Sequence, residues 1–193
     1  MRQLFFFSNN KNKVIEIKKI FNRYNYKILS LDDIDINNEP EESGQNFEEN
    51  AKIKSDYGFN KTGIPCFADD SGICIESLNW KPGVQSKRFI NKFRTNEDCF
   101  KKIIESIEIK KKNKAFFKTS ISLTINKKQN IVFNGKIDGT ISNTVKGKNG
   151  FGYDPIFIPR SYKKTLAELS LKQKNEISHR SIAIGKLINF LLN

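Results

Sequence analysis

The tetrapeptide Asp-Asp-Ser-Gly at residues 69–72 stands between two apolar runs, 64–68 and 73–75. We interpret this pattern as a strand, a tight acidic turn and a second strand. The paired carboxylates of Asp69 and Asp70, beside a hydroxyl and a glycine N–H, can bind Mg²⁺, orient a water molecule and receive a phosphate oxygen. The same residue types are also favoured in turns that have no function, so both interpretations stay open at this point.

A polar stretch at residues 8–13, Ser-Asn-Asn-Lys-Asn-Lys, separates a predicted strand at 3–7 from a predicted helix at 13–24. The first N–H groups of a helix lack intrahelical partners, so a helix that follows a polar loop is a common anion site. The alternative is that Asn10 or Asn12 simply caps the helix. The glycines of a Walker loop are absent.

An acidic loop at residues 32–42 follows a second predicted strand at 26–31 and precedes a predicted helix at 46–59. In a basic chain this concentration of carboxylates is either a supply of metal ligands or an ordinary solvated loop.

The C-terminal part offers groups that could bind a nucleotide. Phe151 and Tyr153 lie in a glycine-rich segment at residues 146–155, where they could stack on a nucleobase or pack on the core. His179 and Arg180 begin the last predicted helix, and together with Lys174 they could donate to a base and a phosphate. A helix cap or a surface pair is the alternative.

The remaining pattern predicts a helix at 95–107 and an antiparallel hairpin formed by residues 115–126 and 130–141. A short strand is predicted at 156–158. The loop at 79–89 either positions Ser86 and Arg88 near a ligand or crosses the surface.

The charge of the 193-residue chain is strongly positive, with 34 basic and 21 acidic residues and a net charge of +13. Such a balance is typical of nucleic-acid-binding proteins. However, the excess is nearly all lysine and is spread along the chain, whereas proteins that recognise phosphate geometry favour arginine. The three cysteines and the single histidine lack zinc-site spacing. With no apolar run of membrane-spanning length and no signal peptide, we expect a soluble, unexported protein in the reducing cytoplasm.

Six ordered motifs resemble the inosine triphosphate pyrophosphatase family, whose members hydrolyse ITP, dITP and XTP to the monophosphate and pyrophosphate. In this sequence they are Ser8-x-Asn10-x-x-Lys13; Glu41-Glu42-Ser43-Gly44 with Phe47-x-x-Asn50-Ala51-x-x-Lys54; Ala68-Asp69-Asp70-Ser71-Gly72; Pro82-Gly83-x-x-Ser86-x-Arg88; Gly150-Phe151-Gly152-Tyr153-Asp154-Pro155; and Ser178-His179-Arg180.

The resemblance implies that Asp70 is the catalytic proton acceptor and a metal ligand, supported by Asp69. It also implies that Glu41 is the second Mg²⁺ ligand, with Glu42 as the neighbouring alternative. The residues implied in substrate binding are Ser8, Asn9, Asn10, Lys11, Asn12, Lys13, Ser71, Phe151, Gly152, Tyr153, Asp154, Lys174, His179 and Arg180. Two residues depart from the family pattern, Asn9 and Asn149, where glycine is frequent.

The fold that we expect is a single α/β domain with a long mixed β-sheet flanked by helices, and with two lobes around a central nucleotide cleft. The resemblance implies a homodimer that acts on purine nucleoside triphosphates, with no stable nucleic-acid partner and no membrane. The alternatives are a basic nucleic-acid-binding protein and a related pyrimidine nucleotide pyrophosphatase.

Overall fold

The strands of the computed structural model, which describes residues 2–36 and 38–193, form one mixed β-sheet. The seven strands in these residues are β1 (Arg2–Phe6), β2 (Tyr26–Leu29), β3 (Cys66–Ile75), β4 (Lys81–Pro82), β5 (Lys114–Asn126), β6 (Gln129–Ile141) and β7 (Phe157–Pro159). Their order is β2-β1-β3-β5-β6-β7, and β4 pairs with β3. Strand β1 is parallel to β2 and β3, whereas the β3–β4 and β6–β7 pairs are antiparallel. Two residues join β5 to β6, a connection that fits only antiparallel neighbours.

The helices that flank this sheet have clear end signals in the sequence. They are α1 (Lys11–Phe21), α2 (Phe47–Thr62), α3 (Ser86–Ile90), α4 (Asn96–Lys110), α5 (Leu171–Ile177) and α6 (His179–Leu192). Helix α2 begins after Asn46, whose side chain accepts from the Glu49 N–H, and ends at Gly63 with φ of 69°. Helix α4 begins with a capping box of Thr95 and Asp98. The predicted α/β class and the mixed sheet flanked by helices are therefore confirmed, with helix ends shifted by up to three residues.

The predicted acidic turn at residues 69–72 is wrong, because these residues lie inside the continuous strand β3. Every residue of β3 except Ser71 is buried, so its backbone groups need partners in the sheet. The N-terminal half of β3 pairs with β1, and its C-terminal end pairs with β4. Sheet pairing on a buried segment thus overrides the local turn preference of Asp, Ser and Gly.

Two compact units can be distinguished along the chain. One contains the residues up to Asp70 together with Ser120–Phe133, and the other contains Ser71–Thr119 and Asn134–Asn193. Strands β3, β5 and β6 each contribute residues to both units. In the first unit, Phe5 and Phe7 pack with Cys66 and Ala68.

The core of the second unit is larger and is built around the buried face of α4. Its members are Ile73, Ile75, Cys99, Phe100, Ile103, Ala115, Phe117, Ile141, Tyr153, Ile156, Phe157, Leu166 and Leu169. Burial of these apolar side chains provides the main favourable free energy of folding.

The three cysteines are free thiols buried in the structure. Burial raises the pKa of the thiols of Cys66 and Cys74, and it raises the pKa of Cys99 to about 11. In residues 2–36 and 38–193, every helix falls short of the length and apolar character that crossing a membrane demands.

Candidate active site

Asp69 and Asp70 are consecutive residues of β3, so their side chains point to opposite faces of the sheet. Both are buried, with exposed fractions of 2% and 7%. Strand alternation therefore gives the two carboxylates different neighbours within the first unit.

The Asp69 carboxylate faces α1. Its Oδ2 atom lies 2.8 Å from Nζ of Lys13, and the carboxylate side chain is almost fully buried. An ion pair that is shielded from water in this way is screened much less than a surface pair. Lys13 thus lies beside strand β3, and its contact with phosphate stays a prediction.

The loop before α1 positions Lys13 through a helix cap. The side chain of Asn10 accepts from the N–H groups of Asn12 and Lys13 at 3.1 and 3.3 Å, and Ser8 Oγ accepts from the Asn10 N–H at 3.3 Å. The capping alternative is therefore correct for Asn10. Asn9, Lys11 and Asn12 are exposed, and the contacts of residues 8–13 with phosphate stay a prediction.

The Asp70 carboxylate faces α2. Nδ2 of Asn50 donates to Asp70 Oδ2 at 3.1 Å, and Nζ of Lys54 lies 4.0 Å from Asp70 Oδ1. Lys54 also lies 2.7 Å from Oε1 of Glu42. Because Asn50 and Lys54 are four residues apart, one face of α2 presents both side chains to the strand and to the acidic loop.

Burial raises the pKa of the Asp70 carboxyl, although Lys54, Lys13 and the hydrogen bond from Asn50 oppose this effect. Burial alone would lower the pKa of the Lys54 ammonium, but nearby carboxylates, with Asp70 first, outweigh it and raise that pKa. Lys54 is therefore a charged lysine at neutral pH, held between two carboxylates.

The oxygen ligands in this region suit a hard cation such as Mg²⁺. Asp70 and Glu42 both approach Lys54, and Glu41, next to Glu42, is exposed. No group of three or more His, Cys, Asp or Glu side chains spaced for a metal occurs in the described residues. The residues fit an ion held by one or two carboxylates and by substrate phosphate oxygens, which is the usual arrangement for Mg²⁺.

In the second unit, Asp154 organises the glycine-rich segment. Its Oδ2 atom lies 2.6 Å from Nζ of Lys174 and accepts from the Phe151 N–H at 2.8 Å. Gly150 has φ of 80°, and a Cβ atom there would overlap the Asp154 carboxylate. Glycine is thus needed at position 150 for the segment to close around Asp154.

The aromatic ring of Phe151 lies under two cations. Nζ of Lys174 is 4.6 Å from the ring centroid, and Cζ of Arg180 is 5.6 Å from it. Such cation–π contacts fix the positions of the charged groups relative to the ring. Gly152 has φ of 61°, and a Cβ atom there would meet no neighbour.

Ser178 caps the N-terminus of α6, and its Oγ accepts from the Ser181 N–H at 3.1 Å. The His179 ring stacks on Phe117, with centroids 4.7 Å apart and planes only 7° apart. Arg180 is 2% exposed and donates from Nη2 to Ser71 Oγ at 3.1 Å. The predicted residues Ser71, Phe151, Asp154, Lys174 and Arg180 are thus brought together, and Phe117 is a neighbour that the sequence did not reveal.

Tyr153 and Ser86 take structural positions. The Tyr153 hydroxyl donates to the Ser86 carbonyl at 2.8 Å, and its ring packs in the core. Ser86 Oγ accepts from the Ile73 N–H at 2.9 Å, whereas Arg88 is exposed. The core-packing alternative therefore describes Tyr153 here, and its contact with a nucleotide stays a prediction.

Comparisons with known proteins agree over the full length. Residues 4–190 match the model of the Ham1 family. The chain is 43% identical over 189 residues to the dITP/XTP pyrophosphatase of Flavobacterium johnsoniae, covering 98% of this chain and 97% of that protein. It is 44% identical over 191 residues to the protein of the same name from Flavobacterium psychrophilum, covering 99% and 100%.

Solved structures show the same fold. A Ham1 protein from Coxiella burnetii superposes with a TM-score of 0.91 at 35% identity, covering 100% of this chain and 99% of that chain. The Ham1 protein of Staphylococcus aureus gives a TM-score of 0.88 at 35% identity, covering 98% of each chain.

Proposed function

The chain belongs to the Ham1 family, and from this membership and the side chains around Asp70 we propose that it hydrolyses ITP, dITP and XTP to the monophosphate and pyrophosphate. This activity keeps deaminated purines out of DNA and RNA. The observation that carries the proposal is the buried Asp70 carboxylate, held by Asn50 and beside Lys54.

Asp70 accepts the proton of a water molecule that attacks the α-phosphorus, so that pyrophosphate leaves. Lys13 and Lys54 place positive charge beside the acidic strand and favour binding of the triphosphate. When bound, Mg²⁺ neutralises charge on the phosphate oxygens. Asp70 and Glu41 are its proposed ligands. Glu42, which pairs with Lys54, is the alternative to Glu41 as the second ligand.

Arg180, Lys174 and Phe151 are the proposed contacts of the base. The guanidinium of Arg180 and the ammonium of Lys174 carry only hydrogen-bond donors. Donors pair with the oxo group at position six of hypoxanthine or xanthine, but they face another donor in the amino group of adenine. The ring of Phe151 supplies an aromatic surface of the kind on which a purine stacks.

Three further features belong to the proposal. The protein is a homodimer, as the family resemblance implies. It is cytoplasmic, which is consistent with three free buried thiols. Binding of nucleic acid is not its function, and this alternative is not favoured because full-length relatives are named as dITP/XTP pyrophosphatases.

The test is incubation with Mg²⁺ and, separately, ITP, dITP, XTP, ATP, GTP and dUTP, scoring pyrophosphate against orthophosphate. We expect pyrophosphate and the monophosphate from the first three substrates, and little turnover without Mg²⁺. Orthophosphate as the first product contradicts attack at the α-phosphorus. Preferred hydrolysis of dUTP favours the pyrimidine alternative, while DNA binding that falls steeply with salt and no turnover favours the nucleic-acid alternative.

Asp70→Asn keeps the shape of the side chain but removes the proton acceptor. We expect kcat to fall by about 10²–10⁴-fold, the usual contribution of a general base, with an unchanged circular dichroism spectrum. The control is Asp138→Asn, which removes an exposed carboxylate paired with Lys136 at 2.7 Å and keeps full activity. Full activity of Asp70→Asn contradicts the assignment.

A further inference from the structure

Asn50 connects the segment at residues 41–44 to strand β3. Its side chain is 2% exposed and projects from α2. Nδ2 donates to Asp70 Oδ2 at 3.1 Å, and Oδ1 accepts from the Gly44 N–H at 2.8 Å. Because a carboxylate only accepts and a backbone N–H only donates, the amide satisfies both partners in a single orientation.

The loop is pressed closely against this amide. A Cβ atom at Gly44 would lie 2.6 Å from Oδ1 of Asn50 and 2.7 Å from Cβ of Glu49. These distances are too short for a side chain, so glycine is required for the close approach. The Glu41-Glu42 pair lies just before Gly44 in the chain, and its backbone path therefore depends on the same contact.

Lys54 spans the same two segments one helical turn later. Its ammonium lies 2.7 Å from Glu42 and 4.0 Å from Asp70. An ammonium is a compact point charge whose attraction depends little on direction. The amide of Asn50 instead forms two directional hydrogen bonds, so Asn50 is the residue that can fix how the Asp70 carboxylate is turned.

We propose that Asn50 is a positioning residue for the reaction proposed above, because it locks the Asp70 carboxylate and the loop at residues 41–44 in one arrangement. The inference rests on the proposed function and adds a role that the family motif alone does not assign. Asn50 acts through Asp70 and does not itself touch the reacting atoms. Its contribution should therefore appear in kcat, while substrate binding changes little.

A buried asparagine can also be retained for stability alone, and two variants separate the roles. Asn50→Asp keeps the shape and the acceptor for the Gly44 N–H, but it replaces the donor to Asp70 with a second carboxylate, whose repulsion adds to the loss of the hydrogen bond. Asn50→Ala loses both bonds and removes the donor without adding a charge. If the hydrogen bond to Asp70 is the important one, Asn50→Asp should lose activity as Asn50→Ala does, although it keeps the bond from the Gly44 N–H.

The matched control is Asn46→Ala on the same helix. Asn46 caps α2 by accepting from the Glu49 N–H at 2.9 Å, and its Nδ2 donates to Glu49 Oε1 at 2.7 Å, so both bonds lie within the first turn of the helix. This change destabilises the helix through its first turn. Any loss of kcat that follows from a less stable α2 should therefore appear in this variant as well.

The experiment measures kcat and KM for ITP with Mg²⁺, at a temperature where circular dichroism shows each variant to be folded. We expect both Asn50 variants to lose about 10–100-fold in kcat with KM within about 3-fold, as for a reacting group displaced by a fraction of an ångström. Asn46→Ala should keep kcat within about 2-fold of the wild type.

Three results overturn the inference. The first is Asn50→Asp with kcat within about 3-fold of the wild type, and the second is Asn46→Ala with an equal loss. The third is failure of both Asn50→Asp and Asn50→Ala to fold, which makes Asn50 a folding residue. Absence of turnover in the wild type contradicts the proposed function instead, so the two failures are distinguishable.

Discussion

Asp69 and Asp70 are neighbours in sequence that have different partners in the structure. Lys13 of α1 pairs with Asp69, whereas Asn50 and Lys54 of α2 approach Asp70. The alternation of side chains along a strand explains why two adjacent carboxylates serve different contacts. Substitutions at the two positions are therefore expected to have separate effects.

A different carboxylate, Asp33, should link stability to pH. It accepts hydrogen bonds from Lys18 at 2.8 Å and from Ser30 N and Oγ at 2.8 and 2.7 Å, and the bond from Lys18 is the largest cause that lowers the pKa of this carboxyl. A pKa lowered in the folded state means that the bonds stabilise the fold above about pH 4 and are lost as the pH falls further.

Asp33→Asn should therefore lower the free energy of unfolding at pH 7. The Asp33 side chain is 40% exposed, so solvent screening limits the loss to about 0.5–1 kcal/mol. The difference from the wild type should shrink as the pH falls below about 4. Urea denaturation between pH 7 and pH 3 checks this, and a difference that stays constant over the range contradicts it.

Some site residues could be predicted from sequence and others could not. The order of the motifs indicated Asp70 and Arg180, whose roles stay predictions, while helical spacing alone places Asn50 and Lys54 on one face of α2. No sequence signal indicated that Phe117 stacks on His179, because the two residues are 62 positions apart and their contact depends on the tertiary fold.

At the level of elements, strand β3 shows how context overrides local preference. Asp-Asp-Ser-Gly is a turn sequence by composition, yet it is extended inside strand β3, which lies between β1 and β5 in the sheet. Helices with strong caps, such as α2 and α4, were predicted to within a few residues. The difference is physical, since a cap is satisfied within four residues whereas strand pairing depends on distant segments.

The packing of α6 against β6 gives a prediction at this scale. A Cβ atom on Gly135 of β6 would overlap the His179 carbonyl oxygen and lie 2.8 Å from the Ala183 N. Gly135→Ala should therefore displace the first turn of α6, with a loss of about 1–3 kcal/mol in stability from overpacking. Since that turn holds His179 and Arg180, kcat/KM for ITP should fall by at least about 10-fold.

Gly185→Ala is the control for this change. Gly185 lies on the same helix, is exposed, and has open space where a Cβ atom would be added. Alanine there should raise stability by up to about 1 kcal/mol and leave kcat/KM unchanged. Thermal unfolding and ITP kinetics of both variants test the prediction, and equal kinetics for the two variants would falsify it.

For the whole molecule, the net charge of +13 does not require a nucleic-acid partner. Several lysines pair with carboxylates, both in the buried site and on the surface. Examples are Lys13–Asp69, Lys54–Glu42, Lys18–Asp33, Lys52–Asp56, Lys136–Asp138 and Lys174–Asp154. Each of these pairs is neutral, so the excess of 13 positive charges stays on the chain. Net charge alone was therefore less informative about function than the six ordered motifs.

Because Cys66, Cys74 and Cys99 are buried, the reaction rates of their thiols can be used to measure local opening of the native protein. A thiolate is the reactive form of cysteine, and seclusion from water keeps all three sulfur atoms protonated and out of reach of reagents. An aromatic disulfide reagent added to the native enzyme should modify these sulfurs only as quickly as the chain opens locally, and in urea all of them at once. Three separate rates would rank the opening of their surroundings, while immediate labelling without urea would show that these interiors are open to solvent.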